Sequence, residues 1–459
     1  MSDDSVEDLV RSADNVVELF RTNDLKFDQY IFPPEYSHWI EEQRAVRETC
    51  ALVDQSFHME TLRIDGPDAT SFLESICINS FEKVREGVPP QAINIVMCNP
   101  DGYIIGDQIL FYVDTQTFRS VGSVWANNWI RFNASRTDLD LNTEIEYSPH
   151  GWEEDPAEFR FQIQGPFALD VMEEATDHQL PHIPFFRMDS IEIDGIETLA
   201  LGHGMAATPG LEIFGPYKHH GEILERLLDV GSEYDLRRMG TKAYKTGKIG
   251  SGWIVVPVPA IFESSDMREY REWLPADGWE GELSIGGSFV SNDISDYYMT
   301  PIERGQGHLI DFEHEFIGRD ALSEFAHEER RERVTFVWNS EDVVDVYASL
   351  FADGETKKFI DLPDTATQWS TTHYDAVMKH GDIVGVSKYP GYLYYERSML
   401  SLGTIDAEYS EPGTEVTMLW GDTSGKRRVE RHEPTEIRAT VAVAPYVRGG
   451  RRDMSAPQA

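Results

Sequence analysis

A strand-like run that closes on Gly-Pro and passes directly into a helical pattern occurs twice, and this repeat restricts the fold more than any other feature of the chain. In the first copy Leu62-Arg63-Ile64 ends at Gly66-Pro67-Asp68, and Ala69 to Ile76 follows with helical periodicity. In the second copy Phe161-Gln162-Ile163-Gln164 ends at Gly165-Pro166, and Ala168 to Glu174 follows in the same way. A supersecondary unit used twice implies two related α+β halves.

The rest of the chain is arranged around that repeat. Residues 1–30 are acidic and polar, with one short amphipathic stretch from Val16 to Phe20, and read as a surface helix or ordered tail. Trp39, Ile40, Gln43 and Val46 have helical spacing and predict a helix over Tyr36 to Arg47. Ile93 to Cys98 and Ile109 to Val113 are β-rich and joined by Asn99-Pro100-Asp101-Gly102-Tyr103, whose turn chemistry predicts a hairpin. Gly210 to Phe214 reads as a strand, followed by a helix around Ile223 to Leu228. Beyond Arg330 the texture changes to short apolar runs separated by Gly, Pro and Asp: Val334 to Trp338, Ile383 to Val386, Val416 to Trp420 and Ile437 to Val443. These predict a separate all-β, barrel-like domain. The expected division is an acidic extension over 1–30, an α+β region over 31–330 with halves 31–155 and 156–330, and a β-barrel-like domain over 331–459.

Charge narrows the partners. The chain has 81 acidic and 40 basic side chains, a formal net charge of −41. Nucleic acid would be repelled at long range, and no basic stripe interleaved with aromatics offsets this. A carboxylate-rich coat suits molar salt, where charges are screened over ~3 Å, so a halophile's cytoplasm is the expected setting. No apolar run approaches the ~20 residues that cross a bilayer. The acidic opening Met1-Ser2-Asp3-Asp4 lacks the basic start of a secretory signal, which predicts a cytoplasmic protein without membrane association. Cys50, Cys77 and Cys98 are the three cysteines, none in a C-x-x-C pair, and read as reduced thiols.

Phosphate-loop, zinc-helix and dinucleotide fingerprints are missing from the sequence. Gly202-His203-Gly204 lacks the spacing that would aim a helix at phosphate and reads as a turn. His219-His220 has no identifiable third ligand and reads as a solvent-facing pair, and Asp311 to Glu315 as an acidic loop, so no metal is expected.

Several segments taken together resemble the folate-dependent aminomethyltransferase superfamily, the fold of the glycine-cleavage T-protein, and most nearly its vanillate/3-O-methylgallate and syringate O-demethylase branch. They are Trp39 to Arg44, Asp54-Gln55-Ser56-Phe57-His58-Met59, Asn99 to Asp107, Ser251-Gly252-Trp253-Ile254, Phe316 to Leu322, Asp345 to Phe351 and Ser410 to Val416. Their order matches along the chain from about Phe32 to Tyr446. The resemblance implies three domains in a ring around a folate channel, the last of them β-rich, and tetrahydrofolate as cofactor.

Carried over by that resemblance, the pterin pocket would use Gln55, His58, Gln91, Val121, Gln164, Glu212 and Trp253. A pterin presents an amide beside an amino-imine edge, which a carboxylate such as Glu212 can grip at both oxygens and Gln side chains can match in either polarity. Trp253 offers a flat apolar face. Asp107 aligns with the acidic residue that T-proteins place near the reactive folate nitrogens. Tyr244, in Lys242-Ala243-Tyr244, matches a tyrosine of the O-demethylases. A phenol with a pKa of about 10 is matched to a departing phenolate, the condition under which general-acid assistance is most effective. Tyr244, His58 and Asp107 are therefore the expected catalytic residues.

Two departures affect the substrate. Ser123 in Val121-Gly122-Ser123 stands where the aryl branch has an Arg that would clamp an aromatic carboxylate. Lys248-Ile249-Gly250 replaces the T-protein's Leu-Arg-Leu-Glu. Tyr30 falls near the family's substrate-facing tyrosine, with Tyr36 as competitor. The implied activity is tetrahydrofolate-dependent O-demethylation of a small methoxylated aromatic. Alternatives on the same scaffold are an aminomethyl carrier, which would need a lipoyl-protein partner, a methylated amine or a sulfonium compound. A folate-binding assembly factor is disfavoured because its K-G-C-Y-x-G-Q-E box is missing.

Overall fold

The computed structural model describes residues 5–23, 33–86, 91–112, 114–149, 155–205, 208–255, 258–328, 330–363, 371–422 and 429–446. Tyr30 and Val113 lie outside these residues.

Both copies of the repeat form as a strand, a glycine turn and a helix. Glu60–Asp65 leads to the helix Ala69–Ile76, and Glu158–Gln164 leads to Ala168–Ala175. Gly66 and Gly165 have φ of 142° and 127°. A Cβ at these positions would lie 2.4 Å from the Asp140 carbonyl oxygen and 2.6 Å from that of Thr49, so each turn needs both the dihedral freedom and the missing side chain of glycine.

The first copy belongs to a five-stranded sheet ordered Gln91–Cys98, Ile104–Tyr112, Thr117–Gly122, Glu60–Asp65, Asn142–Tyr147. Gln91–Cys98 and Ile104–Tyr112 are the hairpin expected from the turn chemistry. The second belongs to a six-stranded sheet ordered Arg237–Arg238, Ala51–Asp54, Glu158–Gln164, Gly210–Pro216, Ile196–Gly202, Met188–Ile193. Each sheet covers one face with helices. Leu62, Ile64, Leu110 and Phe118 pack in one core with residues of Val124–Ala134, and Phe161, Ile163, Leu211 and Ile213 pack with residues of Ala168–Ala175 and His220–Gly231.

The opposite faces meet each other. Ala92, Phe111 and Val121 of the first sheet pack against Met188, Leu201 and Phe214 of the second, with the Phe111 and Phe214 rings 5.2 Å apart. Because strand side chains alternate, residues 160, 162 and 164 share a face with one another, as do 212 and 214, and residues 107, 109 and 111 share a face of the first sheet. Arg160 packs on both Phe111 and Phe214, which places these faces between the sheets.

Ala51–Asp54 precedes the first copy in sequence yet pairs antiparallel with Glu158–Gln164, Ala51 opposite Gln164 and Asp54 opposite Phe161. The segment that follows it, Gln55 to Met59, therefore crosses from one sheet to the other.

The C-terminal unit is a closed six-stranded barrel ordered Arg331–Trp338, Ser398–Asp406, Asp382–Leu393, Asp375–Lys379, Glu415–Trp420, Thr435–Ala442. Each of the four apolar runs past Arg330 supplies one of its strands. The chain thus has the α+β organisation with a C-terminal barrel that its sequence implies. The helix Thr241–Ser251 lies against both the helix Trp39–Glu48 and the barrel strand Asp382–Leu393. Gln43 joins all three: its Nε2 donates to Thr246 Oγ1 at 3.1 Å and the Tyr392 carbonyl at 3.0 Å, and its Oε1 accepts from the Tyr394 N–H at 2.7 Å.

Candidate active site

Gln55 is the centre of the first group of polar side chains. It is 4% exposed, and its Nε2 donates to the Tyr244 hydroxyl at 3.0 Å and to Gln162 Oε1 at 3.2 Å. The backbone holds it there: Gln55 N–H donates to the Arg160 carbonyl at 2.8 Å, and His58 N–H closes a turn on the Gln55 carbonyl at 3.0 Å. The Gln55 Oε1 atom is buried and has no hydrogen-bond partner among the described residues.

His58 and Tyr244 meet edge to face, ring centres 5.1 Å apart. Burial, with a smaller contribution from the charge of Lys245, pushes His58 down to about 3, so its ring is neutral near pH 7. Burial and then the charge of Glu212 raise the Tyr244 phenol well above its usual value, which keeps its proton on. Tyr244 is anchored through its helix, whose Thr246 is held by Gln43.

Along the second sheet the group continues through Gln162, whose Nε2 lies 3.2 Å from His203 Nδ1. Glu212 is 5% exposed and sits on the adjacent strand opposite Gln162. Its Oε1 accepts from Arg160 at 2.5 Å, and its Oε2 lies 3.7 Å from His203 Nδ1. Glu212 thus already carries a cationic partner on one oxygen, and a bidentate grip on a pterin would share that oxygen with Arg160. Gln164, also buried, accepts from the Met205 N–H through Oε1 at 3.0 Å.

A second group is built on the facing sheet. Asp107 Oδ1 accepts from Arg304 Nη2 at 2.9 Å, and its Oδ2 accepts from Trp253 Nε1 at 3.1 Å and Asn94 Nδ2 at 3.4 Å. The Arg304 side chain is 1% exposed and its Cζ lies 6.0 Å from the Trp253 ring centre. Gln91, on the edge strand, receives Arg187 at Oε1, while its Nε2 is buried and without a partner among the described residues. Val121 is buried among Phe111, Phe214 and Met59.

Ser123 begins the helix Val124–Ala134 without a side-chain capping bond, its backbone N–H and carbonyl both held by the Gln108 amide. With His58, Gly122, Val124, Trp125, Pro149 and Trp279 it lines one small cavity. Tyr36 lies under Arg238, whose Cζ is 3.9 Å from the ring centre. His220 is not solvent-facing: its Nε2 lies 2.8 Å from Asp54 Oδ2 just ahead of Gln55. Among the described residues no three His, Cys, Asp or Glu side chains are grouped so as to hold a metal ion, and no helix is long and apolar enough to cross a membrane.

Arg160, Gln162, His203 and Arg304 are polar residues of these groups that the sequence reading did not select. A signal for two of them was present, since Arg160 and Gln162 stand four and two residues before Gln164 in one strand and so share its face.

The family model of the GCVT N-terminal domain matches residues 23–257. The chain belongs to the GCVT family. Among its relatives, syringate O-demethylase of Sphingobium sp. is 36% identical over 96% of both chains. Sesamin methylene transferase of Sinomonas sp. is 30% identical over 83% of this chain and 82% of that one. The crystal structure of the glycine cleavage system aminomethyltransferase T from Bartonella henselae superposes with a TM-score of 0.61 at 16% identity, covering 94% of this chain and 96% of that one, and shares its fold. As a GCVT protein this chain is a tetrahydrofolate-dependent methyltransferase, and the residues fit the cofactor. A buried, unpartnered acceptor, Gln55 Oε1, and a buried, unpartnered donor, Gln91 Nε2, are what a heterocycle with both donor and acceptor edges requires.

Proposed function

We propose that this GCVT protein removes the methyl group from a small methoxylated aromatic substrate and passes it to tetrahydrofolate, giving 5-methyl-tetrahydrofolate. The observation that carries the reading is the half-buried Tyr244 phenol, held by Gln55 and packed on His58. Bound tetrahydrofolate supplies the nitrogen that accepts the methyl carbon. As the methyl–oxygen bond breaks, its electron pair stays on the aryl oxygen, and Tyr244, which keeps its own proton, donates a hydrogen bond there. Neutral His58 presents an uncharged wall, which leaves the developing negative charge to the phenol. The relatives that act on syringate and sesamin support an aromatic ether as donor.

Gln55, His58, Gln91, Gln164, Glu212 and Trp253 form the polar and aromatic lining of the cofactor side, and Val121 its apolar floor. Asp107 fixes the Trp253 indole through Nε1. Ser123 faces the substrate. A hydroxyl at residue 123 gives one neutral hydrogen bond where a guanidinium would give a charged fork, so the preferred donor does not depend on a carboxylate at that point. The acidic composition supports a halophile's cytoplasm as the setting.

The test is incubation in molar salt with tetrahydrofolate and a panel of methoxyaromatics, methylated amines and sulfonium compounds, with methyl-tetrahydrofolate scored by mass. Methoxyaromatics should give product. Tyr244→Phe should lower turnover by about 100-fold or more, as loss of a donor to a developing oxyanion does, while tetrahydrofolate affinity changes little. Product only from amines or sulfonium compounds, or equal turnover by Tyr244→Phe, overturns the reading.

A further inference from the structure

His203 ends a line of hydrogen-bonding groups that leads to Tyr244, and the arithmetic of donors along that line gives the histidine a role. An amide nitrogen has two hydrogens. Gln55 spends one on the Tyr244 oxygen and one on Gln162 Oε1, which leaves its own Oε1 directed elsewhere and unpartnered. Since Gln162 Oε1 is accepting, Gln162 must turn its Nε2 to the other side, where it meets His203 Nδ1 at 3.2 Å. That contact is a hydrogen bond only if Nδ1 is bare, so the neutral ring carries its proton on Nε2.

The opposite state has the opposite consequence. A proton on Nδ1 would face the two hydrogens of Gln162, and the contact becomes favourable only if the Gln162 amide turns over. Gln162 then points Nε2 at Gln55, and Gln55 must answer with its oxygen. The Gln55 amide thereby presents its NH₂ where an acceptor stood, and the Tyr244 oxygen loses the Gln55 donor. The charged groups that bear on His203 are Glu212, with Oε2 at 3.7 Å, and Arg160 on the far oxygen of Glu212; on the other side stand the rings of Phe185 and Phe186, at 6.1 and 5.6 Å.

We propose that His203, acting through Gln162, is the positioning residue that sets which end of the Gln55 amide meets the cofactor and which meets Tyr244. This rests on the folate reading of the same site. Burial holds His203 below its usual pKa against the pull of Glu212, so the arrangement with a bare Nδ1 is the one present near neutral pH. Acid should reverse it.

Two measurements on the full chain test this. Nitrogen-15 NMR of the histidine-labelled protein should show His203 Nδ1 unprotonated and Nε2 protonated at pH 7.5; a proton on Nδ1 overturns the proposal whether or not folate binds. Tetrahydrofolate titrations between pH 7.5 and 5 should lose about tenfold in affinity with the wild type, the equivalent of about 1.4 kcal/mol, and less with His203→Gln, which cannot take up a proton. Gln162→Leu should weaken binding at pH 7.5, and Gln162→Glu, which still accepts from Gln55, should restore most of it. Equal slopes in wild type and His203→Gln, or equal damage from both Gln162 variants, overturn it. If no tetrahydrofolate binds at any pH, the folate reading fails, and the NMR result decides the polarity of the chain by itself.

Discussion

At the scale of single residues, the ion pair between Arg304 and Asp107 shows how an expected site residue can depend on one that the sequence left unnoticed. Both side chains are almost fully buried, at 1% and 5% exposure. Removing the cation leaves a carboxylate out of water with only the Trp253 and Asn94 donors, a cost of about 3–5 kcal/mol. Arg304→Met should therefore lower the urea midpoint markedly, and adding Asp107→Asn should recover part of the loss, because the double variant buries no unpaired charge. If the double variant is no more stable than the single one, the pair is not what Arg304 contributes. His58 makes a pH prediction of defined sign. Its unfolded value is near 6.5 and its folded value about 3, so as pH falls through about 6.5 the unfolded chain takes up the proton first and stability declines. Urea midpoints at pH 7.5, 6 and 5 should fall more steeply for the wild type than for His58→Gln.

At the scale of elements, what was legible and what was not divide along sequence distance. The two Gly-Pro repeats, the hairpin and the four apolar barrel runs are local patterns, and each forms where its periodicity and turn residues direct. The placement of Ala51–Asp54 in the second sheet depends on a partner over a hundred residues away, which no local period encodes. The same holds for the site. Gln55 and His58 come from the family resemblance of one local segment, whereas the bond from Gln55 to Tyr244 spans the chain from residue 55 to residue 244 and follows only from the packing of the helix Thr241–Ser251. Gln43 is the fastener of that packing. Gln43→Ala removes three hydrogen bonds and strands the Tyr394 N–H, so it should cost about 2–3 kcal/mol. Since Thr246 lies two residues after Tyr244, turnover should fall with little change in substrate KM. Unchanged stability and turnover would show that helix and barrel are held by apolar contact alone.

At the scale of the whole molecule, the core is ordinary and the charge is not. Buried arginines such as Arg160, Arg271 and Arg304 are paired with Glu212, Glu7 and Asp107, so local pairing serves the interior, while a net charge of −41 remains over the chain as a whole. Such an excess acts through its collective repulsion, which depends on ionic strength rather than on any one contact. At ~0.01 M salt the screening length is about 30 Å, comparable to a domain, and carboxylates on different domains repel; at ~1 M it is about 3 Å and only neighbours interact. The midpoint of thermal unfolding should therefore rise by about 10 °C or more between ~0.05 M and ~2 M potassium chloride, a shift that corresponds to about 10 kcal/mol for a chain of this size. Screening can be separated from preferential exclusion by adding sucrose at low salt, which strengthens burial without shielding charge. If sucrose reproduces the whole increase, or if potassium chloride produces none, the acidic coat is not an adaptation to salt. If chloride alone produces it, the same salt is required for any valid assay of the site, because the two sheets that carry Glu212 and Asp107, and the Gln55 segment that crosses between them, are packed face to face within the repelling chain.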